Sequence, residues 1–197
     1  MTCEKSSKDS AKITASFLKQ GKIVIMPTDT VYGFSGIVDL NGSPLFSTDD
    51  KIRKIKGRSE TKPFICLLSS VDSLKDFTDD EIPEKILRAW PGALTVIVTI
   101  KASSPLAKIV PTMAFRIPGD EWAREVVKET GAPIYSTSVN RSGFPVLSAL
   151  SEIEKEFSSE ADLIVQDGDK PNAIPSTIVS LDNGKITILR QGAVKID

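Results

Sequence analysis

Short apolar runs recur along this chain, each closed by a polar or turn-forming cluster, and that pattern limits the folds open to it. Ile23–Met26, Phe64–Ser69, Leu94–Ile100, Met113–Ile117, Ile134–Thr137, Leu163–Gln166, Thr177–Leu181 and Lys185–Leu189 each read as a strand. Helical spacing lies between them. Ser7–Gln20 sets Ile13 with Phe17 and Thr14 with Leu18, and Gly21 stops it. Helices are predicted from about Leu45 to Lys56, over Ile82–Ala89 and over Ser151–Phe157. Asp120–Thr130 carries the fullest signals: Asp120 as cap, Glu121 at the positive end, Trp122 and Val126 on one face, and Gly131 as terminator. Positions 33 to 36 read as a glycine-bearing turn, and Asp39–Pro44 as a loop. Asp182-Asn183-Gly184 between the last two strands predicts a hairpin. Strands and helices alternate first and a hairpin closes the chain, which implies an α/β layer with a mixed, twisted sheet. At 197 residues a single domain over 1–197, with a core from about 10 to 195, is expected.

No run approaches the roughly 20 apolar residues that span a bilayer. Met1–Ser10 is polar and lacks the apolar stretch of a signal peptide. The expected location is the cytoplasm, with no membrane contact. Net charge is -1, so any nucleic-acid contact must come from a local patch.

The chain has no histidine and two cysteines. That excludes Ser-His-Asp and Cys-His chemistry, histidine-bearing zinc sites and four-thiolate sites. Cys66 lies in an apolar run and reads as a buried thiol. No Gly-x-x-x-x-Gly-Lys-Ser/Thr, no Gly-x-Gly-x-x-Gly and no protein-kinase motif set occurs. Any chemistry must rest on positioning, cations, carboxylates, hydroxyls or a borrowed metal ion.

Four polar groupings fall at strand ends, where ligands gather in open α/β sheets. Pro27-Thr28-Asp29-Thr30-Val31-Tyr32-Gly33 crowds hydroxyls, a carboxylate and a phenol into one turn. Local hydroxyl-to-backbone bonds would also explain it. Lys51–Lys62 gathers basic residues, with Arg58 and Lys62 beyond the helix-ending Gly57. It suits a triphosphate or a phosphate backbone, or a solvated helix end. Arg116 closes one strand. Ser136-Thr137-Ser138-Val139-Asn140 follows another, and Pro175-Ser176-Thr177 and Arg190 repeat the theme.

In their order, Pro27–Gly33, Lys56-Gly57-Arg58, Trp90-Pro91-Gly92-Ala93-Leu94-Thr95, Arg116-Ile117-Pro118, Ser138-Val139-Asn140, Ser176-Thr177-Ile178 and Leu189-Arg190-Gln191-Gly192 resemble the YrdC family of threonylcarbamoyl-AMP synthases. The resemblance runs from about residue 10 to 195 and fits the family's short, single-domain type. It implies a twisted α/β sheet with a concave cationic face. It further implies that L-threonine, bicarbonate and ATP are joined into threonylcarbamoyl-AMP and pyrophosphate. A tRNA threonylcarbamoyl-transferase complex would then act downstream on adenosine 37. By motif position, Thr30, Arg116, Ser136 and Ser176 would hold threonine. Lys56, Arg58, Lys62, Thr112, Ser138, Asn140, Val146 and Arg190 would surround ATP, with Lys56 and Arg58 offsetting phosphate charge. Mg2+ would be held mainly by ATP, with no protein metal site.

Four positions depart from the family pattern. Ser59 stands for a common Pro, Asp29 for Glu, Val139 for Ala, and Leu67 where some members carry a threonine-contacting His. Asp29 receives no role. A non-catalytic protein that binds double-stranded RNA, and a carbamoyl-transfer module of the kind found within larger hydrogenase-maturation proteins, are the alternatives the resemblance leaves open.

Overall fold

The computed structural model describes residues 1–40, 46–57, 63–182 and 184–196. The strands are β1 (Thr2–Glu4), β2 (Val24–Met26), β3 (Gly33–Ile37), β4 (Ile65–Leu67), β5 (Leu94–Thr99), β6 (Thr112–Arg116), β7 (Ile134–Ser138), β8 (Leu163–Gln166), β9 (Thr177–Asp182) and β10 (Lys185–Arg190). The helices are α1 (Ser10–Lys19), α2 (Thr48–Lys56), α3 (Glu84–Leu87), α4 (Glu121–Thr130) and α5 (Leu150–Phe157). Two 3-10 turns, Asp72–Asp76 and Pro105–Lys108, were not anticipated.

The strands form one mixed sheet in the order β1-β8-β2-β3-β7-β4-β6-β5-β9-β10. Pairs β1/β8, β2/β8, β4/β6 and β5/β9 are parallel, and the remaining neighbours are antiparallel. The α/β class with a mixed sheet is as expected. β9 and β10 pair as the expected hairpin, Lys185 opposite Asp182, while Asn183 lies outside the described residues.

Three local readings change. The expected turn at 33 to 36 is strand β3, paired on both sides with β2 and β7. Its glycines are needed for close approach. A Cβ at Gly33 would stand 2.8 Å from Ser136 Oγ, and one at Gly36 would stand 2.6 Å from Thr48 Cβ. The polar N-terminus contributes β1, an edge strand whose exposed flanks explain why it lacks an apolar signature. The helix expected over 82–89 is a single turn. The start of the helix expected from Leu45, and most of the preceding loop, lie outside the described residues.

Helix ends follow the sequence signals. Asp120 accepts from Ala123 N at 3.1 Å and caps α4, and Gly131 ends it at φ 74°. Gly57 ends α2 the same way, at φ 62°.

Strand alternation sorts side chains onto two faces. Ile25, Phe34, Cys66, Val96, Phe115, Tyr135 and Val179 enter the larger core, under Ile52 and Ile55 of α2 and Ile153 and Phe157 of α5. Phe34 and Phe157 meet edge to face at 4.9 Å, a geometry worth about 0.5–1.5 kcal/mol beyond burial. On the other face Val24, Met26, Leu67, Ile134, Leu163 and Val165 pack under Leu18 of α1 and Ala123, Val126 and Val127 of α4. Among the described residues that cover extends over only part of the sheet. Further along the same face Ile97, Ile178 and Ser180 are half-exposed, and Thr99 and Thr112 are exposed. The candidate site occupies this uncovered surface.

Candidate functional site

A cavity of about 360 Å³ lies on the uncovered face. Its wall includes Thr30, Arg116, Ser136, Ser138, Val146, Ser176 and Arg190, residues from sequence segments far apart. β-pairing brings them into register. Ser138 lies opposite Gly33, Ser136 opposite Ile65, Arg116 opposite Thr95, and Ile178 opposite both Thr95 and Arg190. Opposed residues share a face, so their side chains converge.

Arg116 is buried at 5% exposure, and each kind of guanidinium nitrogen is engaged. Its Nε donates to Gly92 O at 3.1 Å, Nη1 to Thr30 Oγ1 at 2.8 Å and Nη2 to Asp29 Oδ1 at 2.6 Å. A guanidinium carries five N–H groups. Three are spent, so two remain for a ligand.

The hydroxyl order in the neighbouring turn follows from counting protons. Thr28 Oγ1 donates to Val31 O at 2.9 Å and accepts from Thr30 N at 3.1 Å. Its one proton is used, so in the 2.9 Å contact between Thr28 Oγ1 and Thr30 Oγ1 the donor is Thr30. Thr30 therefore accepts from Arg116, donates to Thr28 and keeps one lone pair. It can meet a ligand N–H or O–H but not a ligand oxyanion.

Arg190 donates from Nε and Nη2 to Ser176 O, at 3.2 and 2.8 Å. Burial, and after it the nearby Arg116 cation, hold its pKa below the ordinary guanidinium value. An anion between the two arginines would relieve that repulsion. Ser176 is buried and its hydroxyl meets Thr95 Oγ1 at 2.9 Å.

Lys56 stands behind the cavity wall. Its ammonium is buried and donates to Ser138 O at 2.5 Å, Asn140 O at 3.0 Å and Asn140 Oδ1 at 2.7 Å. Ser138 Oγ also donates to Asn140 Oδ1, at 2.9 Å, and Ser142 N returns a bond to Lys56 O at 2.8 Å. The end of α2 and the loop after β7 are thus strapped together. Asn140 belongs to this strap rather than to the cavity wall. Thr112 shares the face of Arg116 but lies beyond the cavity lining. Arg58 and Lys62 lie outside the described residues. Leu67, in register with Arg116, is buried against α1 and α4 and supplies apolar contact only.

A second cavity, of about 280 Å³, adjoins the first by sharing Val31, Val146 and Pro175. Tyr32, Lys170 and Asn172 help line it. The Tyr32 hydroxyl donates to Gly168 O and accepts from Asp167 N, both at 2.8 Å, and burial pushes its pKa up to about 12. It serves as a tie between loops.

Sequence reading missed Asp29, Thr95 and the carbonyl of Gly92. Asp29 carried a local signal, a carboxylate beside Thr30. Its partner lies 87 residues on, and no local pattern joins the two.

Three comparisons bear on this architecture. A family model named for Sua5, YciO and YrdC, and described as telomere recombination, matches residues 16–192. A threonylcarbamoyl-AMP synthase of Pyrococcus abyssi is 29% identical over 94% of this chain, and one of Bacillus subtilis is 30% identical over 91%. The chain spans only 55% and 52% of those two relatives, about half their length. The crystal structure of P. abyssi Sua5 complexed with L-threonine superposes with a TM-score of 0.82 at 27% identity, covering 98% of this chain and 57% of that one. With the sheet order, the uncovered face and a family match over most of its length, this chain belongs to the Sua5/YciO/YrdC family.

Proposed function

We propose that this chain is an L-threonylcarbamoyladenylate synthase, joining L-threonine, bicarbonate and ATP for modification of adenosine 37 of tRNA. The observation that carries the reading is a hydroxyl-lined cavity whose wall holds two guanidinium groups, Arg116 and Arg190. A relative of the same fold described in complex with L-threonine supports it, as do relatives named as synthases.

In this reading the threonine amine takes up bicarbonate with loss of water and becomes a carbamate. A carbamate oxygen attacks the α-phosphorus of ATP, and the bond to the departing pyrophosphate breaks. The nucleophile forms from substrates, so a chain without histidine is sufficient. Cys66 takes no part, because burial pushes its thiol pKa up. Catalysis then depends on positioning and on charge placed where the phosphates react.

Arg116 offers its two remaining N–H groups to the threonine carboxylate. Thr30, able only to accept, suits an amine N–H. Ser136 and Ser176 hold the rest of the amino acid. Arg190, Ser138 and Val146 of the cavity wall meet ATP, with Arg58 and Lys62 as further phosphate contacts; Asn140 sets Ser138 from behind the wall, and Thr112 meets the nucleotide only where it reaches past the lining. Lys56 acts through the strap that sets Ser138 and Asn140. Mg2+ enters with the nucleotide, held by phosphate oxygens. The adjoining cavity leaves room for the nucleoside. The product passes to a tRNA threonylcarbamoyl-transferase complex, and the reaction belongs to the cytoplasm.

The purified chain should release pyrophosphate from ATP only when threonine and bicarbonate are both present. Arg116→Ala should raise the KM for threonine more than that for ATP, and Arg190→Ala should do the reverse. Turnover without threonine, or salt-sensitive RNA binding with no ATP consumption, would refute the reading.

A further inference from the structure

We infer that Asp29 is a positioning residue whose carboxylate holds the Arg116 guanidinium in the orientation that receives the substrate carboxylate. The inference rests on the synthase reading for the identity of that substrate. Asp29 Oδ1 lies 2.6 Å from Arg116 Nη2, with the two side chains 20% and 6% exposed. Thr30 and the Gly92 carbonyl hold the other nitrogens. A planar fork held at all three nitrogens cannot turn about its last torsions without breaking a bond. All three bonds leave a cationic donor, but among their acceptors Asp29 alone is itself charged, so its bond adds ion-pair attraction to hydrogen bonding.

The seat of the Asp29 carboxylate is itself built. A Cβ at Gly119 would stand 2.9 Å from Asp29 Oδ2 and 3.4 Å from Gly92 Cα. The turn after β6 therefore passes close over the carboxylate, and a larger residue there would displace it from its present seat. Gly119, Gly92 and Asp29 form one packed corner behind Arg116.

This arrangement has a cost that separates it from a plain structural ion pair. A carboxylate beside Arg116 repels an incoming substrate carboxylate. It is tolerated only where orientation outweighs repulsion. Charge and geometry can be separated, because an asparagine amide oxygen can still accept from Nη2 without bearing a charge.

The test uses the full chain, with steady-state kinetics for both substrates and the Nε and Nη resonances of Arg116 by NMR. Asp29→Ala should raise the KM for threonine about tenfold or more, the scale of one lost charge-assisted bond, with the KM for ATP within about twofold. Asp29→Asn should bring the threonine KM back to within about threefold of wild type. The Arg116 Nη resonances, held apart in wild type and in Asp29→Asn, should merge in Asp29→Ala as the fork begins to rotate. An unchanged threonine KM in Asp29→Ala, or equal rises for both substrates, would overturn the role. If the wild type shows no dependence on threonine, the synthase reading is what fails. The Arg116 resonances then still decide: merging in Asp29→Ala supports the positioning role, and persistence overturns it.

Discussion

Gly192→Ala probes how the exit from β10 shapes the cavity floor. A Cβ at this position would stand 2.2 Å from Pro175 O, 2.5 Å from Ser176 C and 2.6 Å from Ser176 O. Ordinary contact lies near ~3.5 Å, so the chain must move by roughly 1 Å. All three atoms are backbone, so no rotamer change relieves the overlap. Movement strains several ties: Gly192 N to Thr177 Oγ1 at 2.9 Å, Ala193 N to Pro175 O at 3.2 Å, and Arg190 Nη2 to Ser176 O at 2.8 Å. Overpacking costs about 1–3 kcal/mol, and one lost neutral hydrogen bond adds about 1 kcal/mol. The sum, about 2–4 kcal/mol, lowers Tm by about 4–16 °C at this chain length. Because Ser176 lies at the overlap, the KM for threonine should rise with the loss of stability. Thermal denaturation followed by circular dichroism reads the first effect, and threonine saturation reads the second. A variant that melts within about 1 °C of wild type and keeps the same threonine KM would refute the reasoning, since the packing of 192 on 175 and 176 would then not hold.

Lys56→Met keeps an apolar stem of similar length but removes three bonds to the end of β7 and the loop after it, and should cost about 2–4 kcal/mol of stability. Amide exchange at Ser142, which donates to Lys56 O, should quicken as ATP binding weakens; weaker ATP binding with unchanged exchange would instead mean that Lys56 meets phosphate directly. Burial pushes the Asp167 carboxyl up, but hydrogen bonds from Lys170 and Lys5 push it further down, and the net pKa lies below the ordinary carboxylate value. Its stabilising effect is therefore fully present above about pH 4 and is lost as pH falls through the lower folded-state value. The stability gap between wild type and Asp167→Asn, from urea denaturation at stepped pH, should shrink below about pH 4, and a gap independent of pH would contradict the assignment.

Much of the fold was legible in the chain. β2 and β8 announce themselves as short apolar runs, because both of their faces are covered. α4 was legible at both ends, because a cap and a left-handed glycine are local devices. Where the reading failed, it failed for a physical reason. β3 reads as a turn in the sequence because its glycines answer to Ser136 and Thr48, residues distant in sequence. β1 was missed because an edge strand has little to bury.

The site divides the same way. The sequence by itself determined which residue types stand at strand ends, and the absence of histidine left positioning, cations, carboxylates, hydroxyls or a borrowed metal ion to carry any chemistry. It also determined the order of motifs from which the family could be read. Only the tertiary structure decided how those residues work. Arg116 meets Asp29 across 87 residues, and Lys56 meets Asn140 across 84. The proton order of Thr28 and Thr30 depends on a guanidinium supplied by another strand. Propensity and capping act over a few residues. Pairing register and burial act across the whole sheet, and they turned Asp29 from a residue without a role into the partner of the central arginine.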